Sequence, residues 1–231
     1  MVIPPLHRWK TTVARGRTLQ ERLSQGVRLD PLPAAIRRVA GADVAFDEAR
    51  GVFFAAVVVF SLPDMDIVED VSARHRPTFP YVPGMLSFRE GPVLLAAFRK
   101  LRRAPDAVIF DGQGIAHPRR LGLAAHLGLW LDLPAVGCAK SRLLGEHDPV
   151  EREAGSAKPL FDGGERVGSV LRTRSGIRPV FVSPGHRCDF AGAERLVLEC
   201  CRGRRLPEPT RIADIRVAEV KRRFLSRSAR A

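Results

Sequence analysis

Long hydrophobic runs, lysine, tyrosine and any patterned cysteine are what this 231-residue chain lacks. The longest uninterrupted apolar run, Val52 to Phe60, has nine residues. A membrane-spanning helix needs roughly 20, so an integral membrane protein is excluded. The first ten residues, MVIPPLHRWK, have no signal-peptide apolar core, and a cytoplasmic protein is expected. Cys138, Cys188, Cys200 and Cys201 form neither a C-x-x-C pair nor a zinc-ligand spacing, so they are expected to be reduced structural or surface thiols.

Scarce lysine goes with abundant arginine. Only five of the 38 basic residues are lysine, and with 25 acids the net charge is +13. A sequence pI near 10.9 favours polyanionic partners, meaning nucleic acid or an anionic surface. It says nothing about chemistry. With 45% apolar residues the chain can bury a sizeable core, and residues 1–231 are read as one domain with no internal repeat.

Apolar spacing predicts a helix over Leu6–Gln25, then strands over Arg37–Phe46, Val52–Leu62 and Asp66–Arg74 joined by short links, as in an antiparallel meander. Three prolines in RPTFPYVPG break regular structure. A helix is predicted from Pro92 to Arg103, a strand over Ala107–Phe110, a helix over Leu121–Trp130 and a strand over Ala135–Cys138. Strands and helices are expected to alternate from there to about Phe224. The class is α/β, a mixed sheet flanked by helices. The terminal KRRFLSRSARA, residues 221–231, reads as a frayed basic tail or one that grazes phosphates.

Three acids stand out. Asp43 interrupts an apolar strand in VAGADVAF, Asp111 ends another in AVIFDGQG, and Glu90 begins a helix in LSFREGP. A carboxylate in such a place is costly to bury unless it is paired, hydrogen-bonded or bound to a metal. A compact group of these oxygens would suit a hard cation such as Mg²⁺. Beyond Asp111, the loop DGQGIAHPRRLG offers His117 as a phosphate donor or proton shuttle. Arg119 and Arg120 could grip phosphate oxygens. Lys140, just after an apolar strand, can offset charge on a phosphoryl oxygen. His186 in GHR is a weaker candidate. Tyr81, the single tyrosine, sits between Pro80 and Pro83 and could act as a stiff aromatic wedge where a base leaves the stack.

Together these motifs resemble the endonuclease V family of deoxyinosine-directed repair nucleases. The matching blocks are GADVAF (41–46), PYVPGMLSFREGP (80–92), DGQGIAHPRRLG (111–122), GCAKSRLLG (137–145), GHR (185–187) and LPEPTRIAD (206–214), in the family's order. The resemblance implies a ribonuclease H-like fold, a mixed five-stranded sheet with helices on both sides. It implies a DNA-repair endonuclease that hydrolyses the second phosphodiester bond 3′ to a deoxyinosine and leaves 3′-hydroxyl and 5′-phosphate ends. Asp43, Glu90 and Asp111 would hold Mg²⁺, with Mn²⁺ able to substitute, and Lys140 and His117 match the remaining active-site positions. Pro80, Tyr81, Val82 and Pro83 would form the wedge, with Val82 in place of the family's isoleucine. Backbone groups of Gly84, Leu86, Gly112 and Gly114 would line the base pocket. The expected partner is DNA containing deoxyinosine, or inosine-containing RNA, bound by a monomer. An inosine-specific endoribonuclease and a non-catalytic basic nucleic-acid-binding protein are the alternatives. Scission that stops with EDTA separates the last from the others, and matched deoxyinosine and riboinosine oligonucleotides separate the sugars.

Overall fold

The structure is a computed structural model that describes residues 1–228. One mixed sheet of eight strands runs in the order β3-β2-β1-β4-β5-β8-β7-β6. Strands β1 (Arg38–Asp47), β2 (Val52–Ser61) and β3 (Ile67–His75) form the expected antiparallel meander. Strands β4 (Ala107–Phe110) and β5 (Ala135–Ala139) lie parallel to β1. Val52–Phe60 is buried throughout because β2 is covered on both faces, which is why it reads as a continuous apolar run. Phe53, Ala55, Val57 and Val59 meet helices α2 (Leu86–Phe98) and α3 (Leu123–Leu131) on one side. On the other side Val58 and Phe60 join the core under α4 (Phe190–Cys200), and Phe54 and Ala56 pack on α5 (Glu208–Ser228).

The expected five strands are the sheet's first five. Three further strands, β6 (Ala157–Asp162), β7 (Glu165–Leu171) and β8 (Val180–Pro184), extend it by antiparallel pairing beyond β5. The expected alternation of strand and helix therefore fails after β5: three strands come in succession, then two helices.

Two helices move from their expected bounds. Helix α1 spans Val13–Ser24, capped by Thr12, whose side chain accepts from the Arg15 N–H. The apolar spacing of Leu6 and Trp9 belongs instead to a non-helical strap. Trp9 in that strap stacks on Trp130 and lies against Gly91. Helix α2 begins at Leu86, so Pro92 falls inside it and Glu90 in its second turn. Proline at that point removes only one backbone donor, and burial of Phe88, Val93, Leu94 and Leu95 outweighs the loss. Arg99 is the C-cap, so Lys100, Arg102 and Arg103 lie beyond the helix.

Residues 221–228 continue α5 rather than fray; 229–231 lie outside the described residues. Helix α5 lies very close to β1. A Cβ at Gly41 would stand 2.0 Å from the backbone carbon and oxygen of Pro209, so only glycine allows this approach. All four cysteines are free, three of them buried. Among the described residues no helix is long and apolar enough to cross a membrane.

Candidate active site

Strands β1 and β4 pair in parallel with Ala42 opposite Phe110. One residue further on each strand, Asp43 and Asp111 come level on neighbouring strands, and alternation of side chains turns both to the α5 side. Glu90 arrives from α2. Burial pushes Glu90 up to about 8, and the charges of Asp43 and Asp111 add to the effect. Burial also raises Asp43, reinforced by Asp111 and by a fourth acid, Asp214 of α5, while Lys140 opposes the shift. The structure therefore brings together the three expected acids and one that sequence reading missed. Asp214 closes the matched block LPEPTRIAD, and that final acid was the available signal. On an exposed helical position it looks like any solvated carboxylate.

Lys140 Nζ donates to Asp111 Oδ2 at 2.6 Å. Partial burial lowers the pKa of this ammonium, but the hydrogen bond to Asp111 and the surrounding acids outweigh it and raise the pKa overall. Among the described residues no three His, Cys, Asp or Glu side chains stand in a ready-made metal cluster. The donor chemistry nevertheless fits a hard cation. Asp43 is repelled by Asp111 and Asp214, Glu90 by Asp43 and Asp111, one ammonium offsets them, and Asp43 and Glu90 hold protons well above the usual carboxylate range.

Beside the acids opens a cavity of about 410 Å³. Its walls come from the PYVPG loop (Tyr81, Val82, Pro83, Gly84), from Leu86, from Gly112 and Gln113, and from Ser141 to Leu143; Asp111 and Lys140 border it. Tyr81 is 69% exposed on the rim, so its ring is not packed into its own loop. The Val82–Met85 turn closes with the Met85 N–H donating to Val82 O at 3.0 Å. Gly84, at φ +72°, takes the left-handed position that follows proline in a type II turn.

Several expected roles change. His117 borders the cavity but is only 4% exposed. Its Nδ1 accepts from the Arg119 N–H at 3.2 Å, so Nε2 carries the proton and donates to Gly84 O at 2.9 Å. Burial lowers its pKa to about 4. The ring is neutral, has both nitrogens engaged and forms part of the cavity wall. Arg119 is also held internally, donating to Gln20 Oε1 at 2.7 Å and to Gly84 O at 2.7 Å. Arg120 pairs with Asp162 at 2.9 Å and Glu165 at 2.8 Å on the β6–β7 hairpin. Both guanidiniums are thus held by bonds within the protein. Arg142, in the same KSR run as Lys140, is exposed and borders the cavity.

Gly114 does not reach the cavity. It is packed against Pro184, and its N–H donates to Ser183 Oγ at 2.7 Å. Pro80 is exposed outside the lining. His186 is buried away from the site, where it accepts from the Arg28 N–H at 3.4 Å.

Comparison with known proteins agrees with this arrangement. The profile of the Endonuclease V family matches residues 21–215. Endonuclease V of Dehalococcoides mccartyi is 49% identical over 218 residues, covering 94% of this chain and 98% of that one. The crystal structure of Endonuclease V from Streptomyces avermitilis superposes with a TM-score of 0.89 at 42% identity, covering 96% of each chain. A more distant structure, Ciona intestinalis Endonuclease V in complex with a 24mer DNA containing an inosine followed by a ribo-adenosine, shares the fold with a TM-score of 0.80 at 23% identity, covering 92% of this chain and 98% of that one. With this match along most of its length, and with the acids of the matching blocks gathered at one end of a ribonuclease H-like sheet, the chain belongs to the endonuclease V family and is an endonuclease.

Proposed function

We propose that this protein is a metal-dependent repair endonuclease that nicks DNA at the second phosphodiester bond 3′ to a deoxyinosine, leaving 3′-hydroxyl and 5′-phosphate ends. It works as one domain and as a monomer in the cytoplasm, where free thiols persist. The observation that carries the reading is the juxtaposition of an acid cluster with a recess of about 410 Å³ whose rim bears an exposed tyrosine. An enzyme that recognises a base by its hydrogen-bonding edge in a closed pocket must take that base out of the stack, and a recess beside the acid cluster is where such a base would go. The Ciona intestinalis relative was crystallised on inosine-containing DNA, in keeping with this substrate.

Asp43, Glu90 and Asp111, joined by Asp214, would hold Mg²⁺, for which Mn²⁺ can substitute. A bound divalent ion supplies Lewis-acid stabilisation of the phosphate and an activated water. Lys140, now on Asp111, lies where its ammonium can offset negative charge growing on the phosphoryl oxygens. Tyr81, braced by Pro80 and Pro83, fills the gap that the displaced base leaves. Leu86 and the backbones of Gly84 and Gly112 line the recess for the base itself. Arg142 holds a flanking phosphate.

The test is cleavage of matched duplexes with deoxyinosine or deoxyadenosine at one position, with Mg²⁺ and with EDTA, and with the ends mapped. Metal-dependent nicking immediately 3′ to the lesion's 3′ neighbour supports the reading. Equal cutting of both duplexes, or cutting that survives EDTA, overturns it.

A further inference from the structure

Gln20 lies on α1, far in sequence from every other residue of the site, yet its side chain is fully buried. A buried amide is costly unless its hydrogen bonds are made, and this one is satisfied almost entirely by the cavity wall. Its Nε2 donates to Gly84 O at 3.0 Å and to Leu121 O at 3.3 Å. Its Oε1 accepts from Arg119 Nε at 2.7 Å, and Arg119 Nη2 in turn donates to Gly84 O. With His117 Nε2, three side chains converge on one carbonyl oxygen. That carbonyl belongs to the left-handed residue of the PYVPG turn. Arg119 and His117 come from the loop that follows Asp111. The arrangement ties the turn bearing the aromatic side chain to the loop bearing a catalytic acid, and Gln20 is the piece that locks Arg119 into it.

We infer that Gln20 is a positioning residue for base selection: acting through Arg119, it fixes the Gly84 carbonyl and so the shape of the cavity wall that meets the base. It touches neither phosphate nor acid cluster. The inference rests on the cavity being the base site proposed above. A wall made of backbone discriminates only if the backbone is held still, because a hydrogen-bonding site rejects the wrong partner through groups left unpaired.

The experiment compares kcat/KM for matched deoxyinosine and deoxyadenosine duplexes in wild type, Gln20→Met, Arg119→Met and the double variant, with thermal unfolding of each. Methionine keeps the length of glutamine and removes its hydrogen bonds. A wall displaced by a fraction of an ångström should lower the preference for inosine about tenfold in either single variant. The double variant should be little worse than either, because both act on one clamp. A merely structural role would lower the melting temperature and leave the preference unmoved. Folded single variants with wild-type preference, or additive losses, overturn the inference while leaving the base-site reading intact. If Gln20→Met does not fold, Arg119→Met decides in the same way. Wild type without any preference means that the base-site reading has failed and this inference with it.

Discussion

The floor and the wall of the site are built on opposite principles. The floor is four neighbouring acids, two of them pushed to hold protons near neutral pH, with one lysine leaning in. The wall is a web of hydrogen bonds: a neutral histidine, a buried glutamine and a guanidinium bonded to uncharged oxygens, all converging on one carbonyl. A floor of unbalanced charge is arranged to bind something positive. A wall of satisfied hydrogen bonds is arranged not to move. On the proposed reading, reactivity and selectivity are separable in this molecule, and each should be open to damage alone.

The sharpest break in that contrast comes from the floor. Asp43→Ala or Asp111→Ala should lower single-turnover nicking of a deoxyinosine duplex by about a thousandfold or more, because metal-assisted stabilisation of the phosphate amounts to several kcal/mol. Binding, read by gel shift, should largely survive. Near-wild-type cutting by either variant would remove that acid from the chemistry.

Stability against pH separates the two regions by sign. Glu90, raised to about 8, keeps its proton in the folded protein when an unfolded glutamate near 4.5 has lost it. Metal-free protein should therefore lose stability as pH rises through that window, and Mg²⁺ should restore more at pH 8.5 than at pH 6. His117 runs the other way. Its folded pKa of about 4 lies below the ordinary 6.5, so its contribution is complete above 6.5 and fades as pH falls toward 4. The shift corresponds to about 3 kcal/mol at most. Melting curves across pH, with and without EDTA, check both slopes, and His117→Asn should flatten the acid limb only.

Tyr81→Ala sharpens the role of the rim. Its expected effect is about a tenfold loss of preference for deoxyinosine over deoxyadenosine, in line with 1–3 kcal/mol per stacked base, while non-specific binding changes less. An unaltered ratio would deny the ring any part in opening the duplex. Arg142→Ala is the mildest change. It should reduce the log–log salt dependence of binding by about 0.9, one phosphate contact. A slope equal to wild type would place that cation away from DNA.

What could be read from sequence follows the same divide. Asp43 and Asp111 were legible because a charge inside a run such as AVIFD has no cheap explanation. The wall was not, because its key group is a main-chain carbonyl and its clamp residue lies about a hundred positions from Leu121. Arg119 and Arg120 read as phosphate-gripping cations in HPRR, and only the fold shows Arg119 bonded to the cavity wall and Arg120 to acids of the β6–β7 hairpin. The meander was legible from alternating and continuous apolar runs. Strands β6 to β8 were not, since AKPLFD and ERVGSVL carry mixed polarity at the far edge of the sheet. Helix α2 begins before Pro92, where the sequence pattern alone starts it, because tertiary packing tolerates a proline inside the helix.

The seam at Gly41 gives the chemistry a mechanical dependence. Position 41 is two residues before Asp43 on β1, and Asp214 stands one turn beyond the Pro209–Thr210 backbone that presses on it. A single methyl group there would lift the last helix off its strand and carry one carboxylate away from its neighbour. A Gly41→Ala protein would thus keep every reactive group and lose their spacing, a natural starting point for a heat-sensitive version of the enzyme.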